Sequence, residues 1–115
     1  HVVVIGDSLA VGLGSVDQFD MNKTNDWPFQ RIEHRGDPER QDDDEPGPAF
    51  PKALAQTLAK KLQKRVTWRS AGVDGGDVPK IRKFCLGVVD EEVQEGRIPD
   101  VVVILCGAND MKYFL

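Results

Sequence analysis

Four β-branched residues, Val2, Val3, Val4 and Ile5, run without a polar interruption and stop at Gly6-Asp7-Ser8. An apolar run with no polar alternation suits a strand buried on both faces of a parallel sheet. Gly6 permits a sharp change of direction at its end. In open parallel sheets ligands collect at the carboxyl ends of the strands, so the Ser8 hydroxyl stands where such folds do chemistry. Asp7 and Ser8 are also residue types that cap a following helix. Gly12 and Gly14 allow residues 9–16 only a short helical turn.

The stretch from 17 to 48 has a different character. Pro28, Pro38, Pro46 and Pro48 break every candidate element, and Asp42-Asp43-Asp44-Glu45 forms an acidic run. These residues read as an inserted loop, with Trp27, Phe29 and Ile32 as a small apolar cluster able to fold over a site. The acidic run reads as a solvated face. Beyond it, Phe50, Leu54, Leu58 and Leu62 recur every fourth residue, with Ala55 and Ala59 beside them. That spacing predicts an amphipathic helix, with Lys60, Lys61, Lys64 and Arg65 at the negative end of its dipole.

Residues 66–69 read as a short second strand and 70–77 as a glycine-rich loop. Asp77 is placed to cap a helical segment from Val78, with Pro79 in its first turn and Ile81, Cys85 and Val88 or Val89 facing inward. Gly87 interrupts that segment, and Gly96 and Pro99 end it. Residues 101–106 form the most strand-like stretch, stopping at Gly107-Ala108-Asn109-Asp110. Strand, helix, strand, helix, strand implies two right-handed crossovers and a parallel α/β sheet. The simplest arrangement is flavodoxin-like, with the sheet order starting 2-1-3 and a crevice between strands one and three, where Ser8 and Asn109 emerge.

Composition narrows the partners. With 115 residues the chain is one domain at most. Fifteen basic and 19 acidic residues give a net charge of -4, which leaves no footprint for nucleic acid. No apolar run is long enough to span a bilayer, so no integral membrane segment is expected. Cys85 and Cys106 lie in apolar settings without C-x-x-C or histidine neighbours and read as buried free thiols.

Attack by Ser8 on a carbonyl carbon would create an oxyanion, which needs donors fixed where the charge develops. The two neighbouring strand ends offer suitable groups. A glycine after strand two lets a backbone N–H approach closely, and the Asn109 carboxamide donates without adding net charge. The Ser8 N–H is a third donor. Taken singly, a glycine-rich loop is a turn and an asparagine after a strand is a cap. Their occurrence at three successive strand ends of one sheet is harder to discount.

Gly6-Asp7-Ser8-Leu9, the loop 72–76 and Gly107-Ala108-Asn109-Asp110 resemble, in order and approximate spacing, the first three sequence blocks of the SGNH hydrolases, the GDSL esterase and lipase family. The resemblance spans nearly the whole chain outside the 17–48 insert. It implies a three-layer α/β/α serine hydrolase of carboxylic esters, acting on a small-molecule, lipid or carbohydrate ester without metal or organic cofactor. Carried over by position, Ser8 is the nucleophile, and Gly75 and Asn109 line the oxyanion hole. Gly72 and Gly76 compete with Gly75 for that role; counting from Ser70 favours Gly75. Asp7 and Asp110 orient their loops.

A serine hydroxyl needs a base, and the chain has two histidines. His1 opens the first strand and at about 3.3 Å per residue should lie roughly 20 Å from Ser8, while His34 reads as an exposed loop residue. Neither stands in the family's Asp-x-x-His block. An unbroken apolar third strand would also make an unprotected sheet edge. The chain is therefore expected to be the amino-terminal part of one SGNH-like domain, residues 1–115, truncated after its third strand and inactive alone. Two rivals stand beside this reading. A nucleotide-binding domain finds no G-x-G-x-x-G or G-x-x-x-x-G-K-[ST] here. An inactive hydrolase-like binding domain is the alternative.

Overall fold

The computed structural model describes residues 1–11, 22–23, 31–37 and 48–111. The expected cluster residues Trp27 and Phe29 and the acidic run 42–45 lie outside them. Five strands form one sheet in the order β2-β3-β4-β1-β5. These are β1 (Val2–Gly6), β2 (Asn22–Lys23), β3 (Arg31–Gly36), β4 (Trp68–Val73) and β5 (Val101–Leu105), with helices α1 (Ser8–Val11), α2 (Ala49–Leu62), α3 (Val78–Phe84) and α4 (Gly87–Gln94). The chain is thus α/β with a mixed, mostly parallel sheet.

β1 pairs in parallel with β4 on one side and β5 on the other. Its four branched side chains divide between two cores. Val2 and Val4 pack with Ala10, Ala55, Val66 and Trp68 beneath α1 and α2. Val3 and Ile5 pack with Ala71, Val73, Ile81, Cys85 and Val88 beneath α3 and α4. Helices on both faces are what the absence of polar alternation in β1 requires. Burial pushes the Cys85 thiol up to about 11, so it stays protonated at neutral pH.

The sheet departs from the expected all-parallel order because the insert contributes to it. Within residues 17–48, read from the sequence as a loop, β3 pairs antiparallel with β4 and β2 pairs antiparallel with β3. β3 carries few apolar residues, yet it alternates strictly. Arg31, Glu33 and Arg35 make ion pairs to Glu91, Arg69 and Glu92, whereas Ile32 is buried and His34 stacks on Trp68. The His34 and Trp68 ring centroids are 5.7 Å apart, so His34 is a strand residue of the sheet rather than an exposed loop residue. Gly36 lies directly under the Trp68 indole, which occupies the space a Cβ would need.

Three other expectations shift. β4 runs through Val73 rather than ending at Arg69, since Ser70, Ala71 and Gly72, weak strand formers, are paired on both edges between β1 and β3. α2 forms as its periodicity predicts, but turned: Pro51 and Ala55 are buried, Leu54, Leu58 and Ala59 pack at the margin, and Phe50 and Leu62 are exposed. Cys106 is exposed, because it follows the last residue of β5 at the sheet rim. The expected cap is present, with Asp77 Oδ1 accepting from the Lys80 N–H at 3.0 Å. The expected break near Gly87 falls at Cys85 and Leu86, between α3 and α4.

β5 forms an edge of the sheet, and Val101, Val102 and Ile104 are exposed there. Among the described residues, no helix is long and apolar enough to cross a membrane.

Candidate active site

Gly6 is paired with Gly72 of β4 and with Leu105 of β5. That register line fixes the carboxyl edge of the three parallel strands. Ser8 stands two residues beyond it on β1, Gly75 three beyond it on β4 and Asn109 four beyond it on β5. The parallel pairing, rather than proximity in sequence, brings these three loops to one rim.

The Ser8 corner is built by Asp7. Its N–H donates to the Leu105 carbonyl at 3.1 Å, continuing the β1–β5 ladder by one bond. Its buried carboxylate accepts from the Leu9 N–H at 3.0 Å and so caps the single turn of α1. Capping therefore falls to Asp7. Among the described residues no hydrogen bond engages Ser8 Oγ, and Ser8 is half-buried.

Gly6 sets how closely these loops approach. A Cβ at Gly6 would run into the carbonyl oxygen and Cβ of Leu105, both held by the sheet. Gly6→Ala is expected to pry the end of β5 from β1 and to cost about 1–3 kcal/mol, read as a lowered urea midpoint at unchanged slope.

The second and third loops are strapped together. Asn109 Nδ2 donates to the Gly76 carbonyl at 3.1 Å. The neighbouring Asp110 carboxylate accepts from the Val78 N–H at 3.0 and 3.1 Å, tying the third loop to the first residue of α3. A carboxamide nitrogen carries two hydrogens, so the bond to Gly76 fixes the Asn109 side chain while leaving a second N–H to donate. Neither Gly76 nor Val78 was marked for this strap by the sequence, because a backbone carbonyl and N–H leave no trace in residue type.

The three candidate glycines differ in what they do. Gly72 belongs to β4 and is paired on both edges. Gly76 is buried, and its N–H donates to the Val73 carbonyl at 3.0 Å. Gly75 sits in the turn with a φ of 67°, a left-handed conformation that suits glycine.

Neither histidine stands at Ser8. The five residues of β1 separate His1 from the corner, a span of about 17 Å at roughly 3.3 Å per residue. His1 Nε2 lies 2.8 Å from Glu92 Oε2, and its Nδ1 lies 2.8 Å from Thr67 Oγ1. His34 is opposite Ser70, in the middle of the sheet and two strands from β1.

A charged centre that the sequence did not reveal lies at the opposite end of this face. Glu92, fully buried on α4, accepts from Arg69 Nη1, Arg35 Nη1 and Arg97 Nε, each at 2.8 Å, besides meeting His1. Arg69, itself buried, also reaches Glu33 at 3.0 Å and Glu91 at 2.8 Å. Burial pushes the Glu92 carboxyl up, but bonds from Arg97 and Arg69 and the charge of Arg35 outweigh it and hold the group below the usual carboxylate range. Glu91 is held low in the same way, by Arg69 and Arg31 against its desolvation. No residue type near position 92 signals this, since the partners come from β3, β4 and the segment after α4.

Comparison with protein-family models, with curated proteins and with solved structures gives no match for this chain.

Proposed function

We propose that the chain carries the nucleophile and oxyanion-hole part of a serine ester hydrolase of the SGNH type, on a flavodoxin-like α/β/α fold. One observation carries the reading: Ser8, Gly75 and Asn109 follow a single register line at the carboxyl edge of three adjacent parallel strands, with Asn109 held by the Gly76 carbonyl. The Ser8 hydroxyl, which no hydrogen bond among the described residues engages, and the left-handed turn at Gly75 support the same assignment.

In this mechanism Ser8 Oγ attacks the ester carbonyl carbon while its proton passes to a base. The C=O pair becomes an oxyanion, met by the second Asn109 N–H and the Gly75 N–H. Collapse expels the alcohol, which takes the proton, and leaves an acyl-serine that water then cleaves. Both histidines of this sequence are committed elsewhere. The proposal therefore draws its base from a histidine outside these 115 residues. That same commitment favours a second reading, a hydrolase-like domain that binds a ligand without turning it over.

Hydrolysis of a short-chain aryl ester by the natural full-length protein separates the two. Turnover that Ser8→Ala reduces to background supports the hydrolase. Absence of turnover in a folded protein that still binds the ester supports the binding domain, and turnover indifferent to Ser8→Ala overturns both.

A further inference from the structure

Three large apolar side chains stand exposed on the described part of the rim, one on each loop. Leu9 follows Ser8 and is 63% exposed, Val78 lies three residues after Gly75 and is 47% exposed, and Met111 lies two after Asn109 and is 58% exposed. Backbone bonds hold them near the candidate groups. The Asp110 carboxylate grips the Val78 N–H, and Met111 is the next residue, its own N–H donating to the Gly107 carbonyl at 3.1 Å. Leu9 is fixed by the Asp7 cap, and Asp7 is bonded to the end of β5.

Charge decides what these side chains meet. Among the described residues the same loops carry Asp7, Asp74, Asp77 and Asp110, against Lys80, which pairs with Asp77 at 3.5 Å. An anionic ligand would meet an unfavourable field there, and a neutral apolar one would not. Exposed apolar groups gain by covering a hydrocarbon chain roughly in proportion to the area removed from water.

We propose that Leu9, Val78 and Met111 form the wall that receives an uncharged acyl chain of the ester, making this rim selective for alkanoyl over acetyl or charged acyl groups. The inference rests on the ester-hydrolysis reading. It adds which acyl groups the site prefers and which residues choose them.

The test is binding of alkylboronic acids, from methyl to hexyl, to the natural full-length protein. Boron NMR reports the tetrahedral adduct, and Ser8→Ala shows whether that adduct is on Ser8. Affinity is expected to tighten by about two- to fourfold for each added methylene that the wall covers. The Val78→Ser, Met111→Gln double variant, altered only at exposed positions, is expected to shrink the hexyl-to-methyl ratio. A Ser8-dependent adduct whose affinity ignores chain length overturns the wall while leaving the ester reading standing. A ratio unchanged in the double variant also overturns it. The lack of any Ser8-dependent adduct overturns the ester reading and the wall together.

Discussion

Glu92→Ala is expected to destabilise the fold by about 3 kcal/mol, because it removes the buried common acceptor of three arginines, of which Arg69 is itself buried while Arg35 and Arg97 are half-exposed. Arg35, Arg69 and Arg97 would each lose a 2.8 Å partner, and Arg69 is itself buried. The gross attraction within the network says little about its net contribution, since burying the charges is costly. Breaking it from one side is the expensive change. The loss is read from urea unfolding at neutral pH. Loosening should begin at β3, which Arg35 fastens to α4, so hydrogen exchange at residues 31–36 rises first.

The same network sets an acid limb. Glu92 and Glu91 both have carboxyls lowered in the folded protein. Their stabilisation is therefore complete above the unfolded glutamate value, about 4.3, and is lost as pH falls from there toward their folded values. In that window the unfolded chain binds more protons, so stability rises with pH. Glu92→Gln should flatten the slope below about pH 4.3 while leaving the neutral range flat. An unchanged acid limb would remove Glu92 from this account.

If the chain is the proposed ester hydrolase, Asn109→Ala is expected to carry the second large effect. Losing one preorganised oxyanion donor costs roughly 2.7–4 kcal/mol of transition-state stabilisation, a fall of about 10²–10³ in kcat. The Asn109 bond to the Gly76 carbonyl complicates the reading, because the variant also loosens the strap between the second and third loops. Asp110→Asn serves as the comparison. It weakens the grip on the Val78 N–H but keeps Asn109. A kcat that falls far more for Asn109→Ala than for Asp110→Asn, with similar KM in both, points to charge developed in the transition state. Equal falls point to loop geometry alone.

What the sequence made legible follows from where each signal resides. β1 announces itself because helices on both faces demand an unbroken β-branched run; β5 shows the same run although it is largely exposed at the sheet edge, and Gly6 and Gly107 mark where the two runs turn. The α3 start was legible because Asp77 and Pro79 are local signals. β3 was hidden by its charge. Its alternation of Arg31, Glu33 and Arg35 with Ile32, His34 and Gly36 has period two, but the first of these faces is ionic and its partners on α4 and β4 explain it. The roll of α2 is not legible because the fourfold leucine spacing drifts around a helix of 3.6 residues per turn. At the candidate site, side chains could be read from residue types. The Gly76 carbonyl and Val78 N–H could not, because only the sheet register brings them within reach.

The most direct test of the central claim is reaction of the natural full-length protein with an aryl phosphonate ester, followed by intact-mass measurement and mapping of the modified peptide. The account predicts a single phosphonyl adduct on Ser8, lost in Ser8→Ala and slowed in Asn109→Ala. A folded protein that takes up no phosphonate, or takes it up at another residue, would contradict it.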